Sequence, residues 1–370
     1  MDYLGLLVID YMFHAIRLFR FPFILLLAAC TTVTQQEEKV SIPVWPLPPD
    51  QPRFIYEATL RSFADIIAET SESRMFQLVT GSTVSTEPVL NKPAAIVARK
   101  GRIYVADTGT HTIVVFDIPR RKLFRFGVRE PNDLKKPSGL ALDDEMNVYV
   151  ADSVLRKVLV FDSLGLFLRA VGGPEDIERP TGVAVSRDGE RIYVIDRAHN
   201  ESDQHRVIVY DKAGKKLQAI GSRGSGEGQF NVPLQGTVSA DGTLYVLDSG
   251  NFRVQAFDKD GKFLRAFGYL GTGFGGMVRP RGIAVDDNGN IYISDAGFNN
   301  FQIFNPEGRL LLAVGQYGKE NKPGQYGLIN GIAVDETGRV YVVDQMFKKV
   351  EVIRRLSDSE GQQMLRETKK

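Results

Sequence analysis

The chain has 370 residues and a formal net charge of +1, because 46 Lys and Arg oppose 45 Asp and Glu. This balance gives no whole-chain argument for nucleic-acid binding, which needs a basic excess or a concentrated basic face. Hydrophobic residues at 43% and charged residues at 25% argue against general disorder. With Cys30 as the single cysteine, an intrachain disulfide and a metal site built from cysteines are excluded.

The N-terminal residues 1–29 are typical of a secretory signal. Their apolar sequence is interrupted by Asp10, His14, Arg17 and Arg20. No run therefore reaches the roughly 18 uninterrupted apolar residues of a membrane-spanning helix. A basic stretch instead precedes an apolar core from Phe21 to Ala29, which predicts a signal peptide over residues 1–29.

The signal ends in Leu27-Ala28-Ala29-Cys30, which resembles a bacterial lipobox. The resemblance implies cleavage after Ala29, a diacylglycerol on the Cys30 sulfur and a lipid anchor in the bacterial cell envelope. Buried acyl methylenes contribute about 0.8 kcal/mol each, so several chains hold a soluble domain on a membrane. The absence of Asp after Cys30 resembles outer-membrane sorting, with the protein facing the periplasm. The alternative is a plain N-terminal anchor or an ordinary cleaved signal with an incidental cysteine. The translation start is either Met1 or Met12.

Residues 30–52 are predicted to form a tether between lipid and domain. The segment is polar and then rich in proline, with four prolines in Pro46–Pro52. Proline disfavours both helix and ladder pairing, so we expect an extended spacer here.

The rest of the chain contains six copies of one sequence motif. Each copy contains a Tyr-bearing strand that follows a turn and ends in Asp. These Asp residues are Asp107, Asp152, Asp196, Asp248, Asp295 and Asp344, at spacings of 45, 44, 52, 47 and 49 residues. A short apolar strand precedes each Tyr-bearing strand and further strands follow it. Four short strands per unit at this period describe a propeller blade.

The motif resembles the NHL repeat over about Pro93 to Arg355. The resemblance implies an all-β fold, a six-bladed β-propeller of four-stranded antiparallel blades. A solenoid would need polar capping repeats at both ends, and the sequence has none. Closure into a ring also hides strand edges that would otherwise pair between molecules.

Ring closure requires a strand from outside the six repeats at 93–355. The last repeat is followed by a charged tail, residues 357–370, instead of a fourth strand. Upstream, Arg53–Arg61 is a β-prone run without a partner. We expect it to complete blade six as the outermost strand, so that the propeller spans 53–356. Residues 62–92 then form an excursion back to blade one, with a helical turn within 63–69.

Residues that recur in every blade are predicted to serve the blade. The six Asp carboxylates can accept backbone N–H bonds in the loop that follows, and metal binding by this ring is the alternative. The repeated Tyr residues are predicted to pack between blades with the hydroxyl bonded to a partner, and catalysis is the alternative.

Function is expected where the blades differ, on the loops of one face. The long loop Arg197–Arg206 contains His199 and His205 together with Glu201 and Asp203, which could in principle ligate a metal. No regular element fixes their spacing, so a plain polar surface loop is the alternative.

A cation directly precedes the proline that opens four of the six blades, at Lys92, Lys136, Arg179 and Arg279, and Arg281 follows the last of these prolines. The candidate anion-binding or partner-binding residues are Lys136, Arg179, Arg279 and Arg281. In propellers of this type that position approaches the mouth of the central channel, where a ring of cations would concentrate positive potential. Solvated side chains without a common ligand are the alternative.

Two classes of function remain open. The resemblance implies a membrane-anchored, extracytoplasmic platform that presents the loops of one face to an envelope protein or an anionic glycan. Nucleic acid is not an expected partner in the envelope, and no cofactor is expected besides the lipid on Cys30. The alternative is a metal-dependent lyase or hydrolase with its site at the central channel. The similar amidating lyases hold zinc with histidines from separate blades, whereas this chain has only His111, His199 and His205 after the signal.

Overall fold

The computed structural model, which describes residues 42–67 and 85–368, is a six-bladed β-propeller. Within each blade, neighbouring strands pair antiparallel in sequence order. The innermost strands of the six blades contact one another in a closed ring around a central channel. The predicted all-β class, blade number and strand pairing are confirmed.

The strands are numbered in chain order, and the four strands of a blade are called A to D from the channel outward. Two strands precede blade one, namely β1 (Val44–Trp45) and β2 (Phe54–Leu60). Blade one contains β3 (Pro93–Arg99), β4 (Arg102–Asp107), β5 (Thr112–Asp117) and β6 (Lys122–Phe126). Blade two contains β7 (Pro137–Leu142), β8 (Val148–Asp152), β9 (Lys157–Phe161) and β10 (Phe167–Val171). Blade three contains β11 (Pro180–Val185), β12 (Arg191–Asp196), β13 (Arg206–Asp211) and β14 (Lys216–Ile220).

The second half of the ring follows the same plan. Blade four contains β15 (Pro233–Val238), β16 (Leu244–Asp248), β17 (Arg253–Phe257) and β18 (Phe263–Phe267). Its connection to blade five forms a short parallel ladder of β19 (Tyr269–Leu270) and β20 (Gly276–Met277). Blade five contains β21 (Pro280–Val285), β22 (Ile291–Asp295), β23 (Asn300–Phe304) and β24 (Leu310–Val314). A second parallel ladder, β25 (Gln316–Tyr317) and β26 (Gln325–Tyr326), leads to β27 (Ile329–Val334), β28 (Val340–Asp344) and β29 (Lys349–Arg355) of blade six.

Burial follows from position in the blade. Every residue of β4 is buried, because a second strand lies between flanking strands and adjacent blades. In the outermost β10, exposed residues alternate with more buried ones, as expected for a strand with one solvated face. The hydrophobic clusters combine residues from adjacent blades, such as Tyr149 of blade two with Val183 of blade three. The apolar core is therefore a ring of interfaces between blades.

The ring closes through β2, as predicted. This strand pairs antiparallel with β29 and buries Phe54 and Leu60. The Arg339 guanidinium also donates to both Glu57 carboxylate oxygens, at 2.7 and 3.1 Å. Strand pairing and this ion pair thereby hold the N-terminal segment against the C-terminal blade.

Two details differ from the prediction for the outer edge of blade six. The outermost strand is β1, because Val44 and Trp45 pair with Ile55 and Phe54 to make a fifth strand. The end of the predicted tether is therefore packed on the blade, since the Trp45 ring lies directly against Gly324. Hydrogen bonds of backbone groups at each end of this hairpin outweigh the local preference of the prolines for an extended spacer.

The predicted charged tail contains a helix, α1 (Asp358–Thr368). Ser357 and Glu360 form a reciprocal capping box, because each side chain accepts the backbone N–H of the other residue. A 3-10 helix at 64–66 provides the expected helical turn of the excursion.

Cys30 and the predicted signal lie outside the described residues. Within the described ranges, no helix is long and apolar enough to cross a membrane.

Candidate functional site

The central channel has two differently built mouths. The upper face carries the loops between strands B and C and the connections between blades, and the lower face carries the A–B and C–D turns. Between them, the innermost strands line a cavity of about 170 Å³. Arg281 and Gln235 line its upper part, and Arg187, Asp287 and Glu336 line its lower end.

Gln235 fills the channel near the upper mouth. The other five blades place small residues at the corresponding third position of strand A, namely Ala95, Gly139, Gly182, Gly282 and Gly331. The Gln235 side-chain amide crosses this space and donates to the carbonyl oxygens of Ser138 and Thr181, at 3.0 and 3.1 Å. A Cβ at Gly182 would lie 2.8 Å from Gln235 Oε1, so glycine there makes room for the amide. The side chain forms a floor beneath the upper mouth.

The repeated Asp residues fix the backbone around this mouth, as predicted. Asp152 Oδ2 accepts the N–H of Lys136 at 2.8 Å, and Asp152 Oδ1 accepts N–H groups of the following loop. The same arrangement holds Arg179 through Asp196 and Arg279 through Asp295, at 2.7 and 2.9 Å. Each carboxylate thus ties the start of strand A to the B–C loop.

The repeated Tyr residues also match their predicted packing role. Tyr149, Tyr292 and Tyr341 are buried, and their hydroxyls donate to Asp143, Asp286 and Asp335. Burial raises the pKa of Tyr149 to about 12, and the negative charge of Asp143 adds to this effect. These hydroxyls are therefore neutral hydrogen-bond donors in the interfaces between blades.

The four predicted cations all lie at the upper mouth, in different surroundings. Lys136 and Arg279 are exposed, whereas Arg179 and Arg281 are half-buried. Arg281 is the second residue of β21 and forms part of the channel wall. Within the described ranges, none of the four forms an ion pair with a carboxylate.

Arg197 belongs to the same group, although the sequence did not single it out. Its backbone N–H donates to the carbonyl oxygen of Arg179 at 3.2 Å. Its side chain is half-buried, Nη2 donates to Asn200 at 3.2 Å, and Nε is buried without a hydrogen-bond partner among the described residues. Its position directly after Asp196 is the sequence signal that could have identified it, because that Asp bonds the backbone of Arg179.

Burial and charge repulsion among these arginines lower the pKa of Arg197 and of Arg281. Burial lowers the pKa of Arg281, and the positive charges of Arg279 and Arg197 lower it further, although the negative charge of Asp295 opposes part of this shift. Burial also lowers the pKa of Arg197, with a further contribution from Arg179. The name "arginine quartet" is used below for Arg179, Arg197, Arg279 and Arg281. The quartet unites side chains from blades three and five on either side of blade four.

The lower mouth contains the opposite arrangement, because its charges are paired. Arg99 Nη2 lies 2.6 Å from Asp144 Oδ1, and Arg187 forms an ion pair with Asp287. Glu336 accepts the backbone N–H of Lys100 at 2.9 Å. Cations here have acidic partners within reach.

The two histidines of the long loop lie in different environments. His205 is buried and accepts the N–H of Val232 on Nδ1 at 3.2 Å, whereas His199 is exposed. Glu201 and Asp203 are exposed as well. In the part of the chain that the structure describes, no three His, Cys, Asp or Glu side chains are grouped to hold a metal ion. The metal hypothesis for this loop thus gains no support from the geometry.

An apolar projection lies beside the quartet on the upper face. It is the connection that leads into Arg279, and it exposes Tyr269, Leu270 and Phe274. Phe274 is 95% exposed at its tip. Exposed aromatic side chains are typical anchors in binding interfaces.

Comparison with known proteins agrees with the repeat. Residues 90–116 and 277–304 match the NHL repeat. The chain is 31% identical over 123 residues to the protein brain tumor of Drosophila melanogaster, a region covering 32% of this chain and 11% of that protein. The match thus spans about a tenth of the length of that relative.

Solved structures with a similar fold include enzymes. A protein of unknown function from Bacteroides thetaiotaomicron is 17% identical, with a TM-score of 0.58 over 74% of this chain and 72% of the other. A gluconolactonase from Xanthomonas campestris is 17% identical, with a TM-score of 0.55 over 72% and 87%. A streptogramin B lyase is 14% identical, with a TM-score of 0.53 over 72% and 94%. At these identities the likeness concerns the fold alone.

The fold and the channel define this protein as a six-bladed β-propeller. Segments of blades one and five match the NHL repeat.

Proposed function

We propose that this protein is a membrane-anchored binding platform outside the cytoplasm, whose upper face binds an anionic partner. The partner is an envelope protein with an acidic surface or an anionic glycan. The observation that carries the proposal is the unpaired cationic mouth on a face whose loops differ between blades. Cationic patches of this kind attract acidic ligands and orient them.

A binding role has more support than the catalytic alternative. The lyase and the lactonase share the fold at 14% and 17% identity, which does not transfer an activity. A metal-dependent reaction at the channel would need a ligand set, and the described residues contain none. Gln235 also occupies the upper channel. Stoichiometric metal in the purified protein would argue for the enzyme instead.

The anchoring part of the proposal rests on Cys30 and its place after Leu27-Ala28-Ala29. Cys30→Ser is expected to abolish lipid labelling and to release the protein from the membrane fraction or leave it unprocessed. The location that follows is the bacterial cell envelope, with the outer membrane facing the periplasm as the expected site. Unchanged lipid labelling of the variant would contradict the anchor.

The binding part is tested by charge removal on each face. One variant replaces Lys136, Arg179, Arg279 and Arg281 with Ser. A matched variant replaces four lower-face cations, Lys100, Arg187, Lys212 and Lys259, with Ser. Binding to polygalacturonate, and crosslinked partners recovered from native membranes, are compared at several salt concentrations.

The two variants carry the same change in net charge. We expect the upper-face variant to lose binding and its salt dependence, because exposed charge contacts weaken with ionic strength. The lower-face variant should keep both. Equal retention in the two variants would mean that the upper-face cations are solvated side chains without a ligand.

A further inference from the structure

Among the described residues, the arginine quartet forms none of the ion pairs that the fold supplies at the lower mouth. Two carboxylates of its own blades, Asp196 and Asp295, lie beside its backbone, and the charge of Asp295 opposes part of the pKa lowering at Arg281. Asp196 accepts the N–H groups of Glu178, Arg179 and Ala198, and Asp295 accepts those of Val278, Arg279 and Gly297. These carboxylate oxygens are engaged by backbone N–H groups, and neither carboxylate forms an ion pair with a quartet guanidinium.

Partial burial makes this arrangement unfavourable without a ligand. Arg179, Arg197 and Arg281 are half-buried, so water screens their repulsion less than at an open surface. An unpaired, partly desolvated charge destabilises a fold, whereas a bound anion would supply the missing charge. The Nε of Arg197, buried without a partner, is a donor positioned for such a ligand.

The floor of the mouth limits the shape of the ligand. The Gln235 amide donates to Ser138 and Thr181 and crosses part of the upper channel. The cross-section open to a ligand at this level is therefore reduced. A compact group at the end or on a branch of a larger molecule can rest on Gln235 and face guanidiniums from both sides.

We infer that Arg179, Arg197, Arg279 and Arg281 form a site for a single oxyanion group, a carboxylate or a phosphate, presented at the end of the partner. The planar guanidinium fork matches both groups in bidentate hydrogen bonds, and four forks from two blades can surround one such group. This inference rests on the proposed function, because it specifies the chemical group that the upper face recognises. Lys136, exposed in blade two, contributes long-range attraction only.

The inference predicts an unusual pair of effects for Arg281→Gln. Removing one of four repelling charges should raise the melting temperature of the free protein. The same change should abolish stabilisation by the anion, since ligand binding stabilises a fold according to its occupancy. A residue with only a structural role would lower stability when replaced and would leave the anion response intact.

The experiment measures thermal unfolding of the full chain with D-galacturonate, inorganic phosphate or sodium chloride at matched ionic strength. The uronate and the phosphate arms distinguish a carboxylate from a phosphate source. Arg281→Gln is compared with Arg197→Gln as a second quartet variant and with Arg187→Gln as a control at the paired lower mouth. The wild type and the control should gain stability with galacturonate or phosphate beyond the chloride effect, and both quartet variants should not.

Three results would overturn the inference. They are an absent anion effect in the wild type, an unchanged anion effect in both quartet variants, or a lower melting temperature for both ligand-free quartet variants. Failure here is separable from failure of the proposed function. If the four-serine variant still loses polygalacturonate or its crosslinked partner while small anions have no effect, the face binds by its extended surface and not through one oxyanion group.

Discussion

The two mouths of the channel are built from opposite ends of the same six strands, yet they differ in whether their charged side chains form ion pairs. At the lower mouth, Arg99 and Arg187 pair with Asp144 and Asp287. At the upper mouth, the quartet has no paired carboxylate among the described residues. Paired charges are compatible with a purely structural role. Repelling charges without an ion pair are what the proposed anion-binding role of the upper mouth requires.

Blade six shows how this fold accommodates a fully buried cation. Lys349 and Glu351 are fully buried, with 3.5 Å between Nζ and Oε1, and Nζ also donates to the carbonyl oxygen of Gln325 at 3.0 Å. Burial lowers the pKa of Lys349 and raises that of Glu351. Here the cation lies 3.5 Å from an acid, whereas no quartet guanidinium forms an ion pair among the described residues.

The largest expected effect comes from opening the ring, because both mouths exist only while six strands A face one channel. Deletion of residues 53–61 removes Phe54 and Leu60 from the core and exposes the edge of β29. Burial of each such side chain contributes about 2–5 kcal/mol, so we expect the loss to approach the whole stability of a domain. Deletion of residues 358–370 should cost far less. Similar melting curves for the two deletions would contradict closure through β2.

The next effect tests whether buried cations need partners in this fold. Glu351→Gln leaves Lys349 unpaired and should destabilise the protein by about 3–5 kcal/mol. The double variant Lys349→Asn and Glu351→Gln copies Asn300 and Gln302 of blade five, where Gln302 donates to Gly276 at 2.9 Å. It should recover most of the loss in chemical denaturation. A single variant as stable as wild type would remove the contrast with the quartet.

A smaller effect is expected from giving the upper mouth an acid. Asn330 holds the position in blade six that Arg281 holds in blade five. Asn330→Asp should raise the melting temperature and weaken galacturonate binding by about 1 kcal/mol, or roughly fivefold. As the control, Asp287→Asn should lower stability by at most about 1 kcal/mol, because its ion pair is exposed. It should leave galacturonate binding unchanged, and a loss of binding in this control would show that the two mouths are coupled.

The smallest expected effect concerns the N-terminal cap of α1, which lies away from the channel wall. It is a response to acid pH that involves neither mouth of the channel. Hydrogen bonds from Ser357 and the guanidinium of Arg354 lower the pKa of Glu360 to about 2. Because this folded-state pKa is depressed, the stabilisation is complete above about pH 4.5 and is lost as the pH falls towards 2. The amide shift of Ser357 in NMR spectra should report this titration. Glu360→Gln should lack it, and an unshifted Glu midpoint near 4.5 in the wild type would contradict the cap.

The repeat was predictable from local sequence because each blade needs the same residue types at the same positions. Asp152 and its five equivalents recur since each must hold a loop and the start of a strand, and Tyr149 recurs since each interface needs a large ring with a bonded hydroxyl. The closing strand was predictable for a related reason, because the last blade visibly lacked one. The pairing of Val44 and Trp45 was not predictable, since it depends on a groove beside Gly324 that exists only in the folded ring.

The sequence by itself determined the number of blades, their strands and the cations beside the blade-opening prolines, because these depend on periodicity and short-range turns. Only the tertiary structure decided which charges meet. Arg197 and Arg281 are 84 positions apart, and they interact because blades three and five both face one narrow channel. Gln235 crosses the upper channel only because Gly182 of the neighbouring blade leaves room for its amide. Such distances are set by ring closure, which no local stretch of the chain encodes.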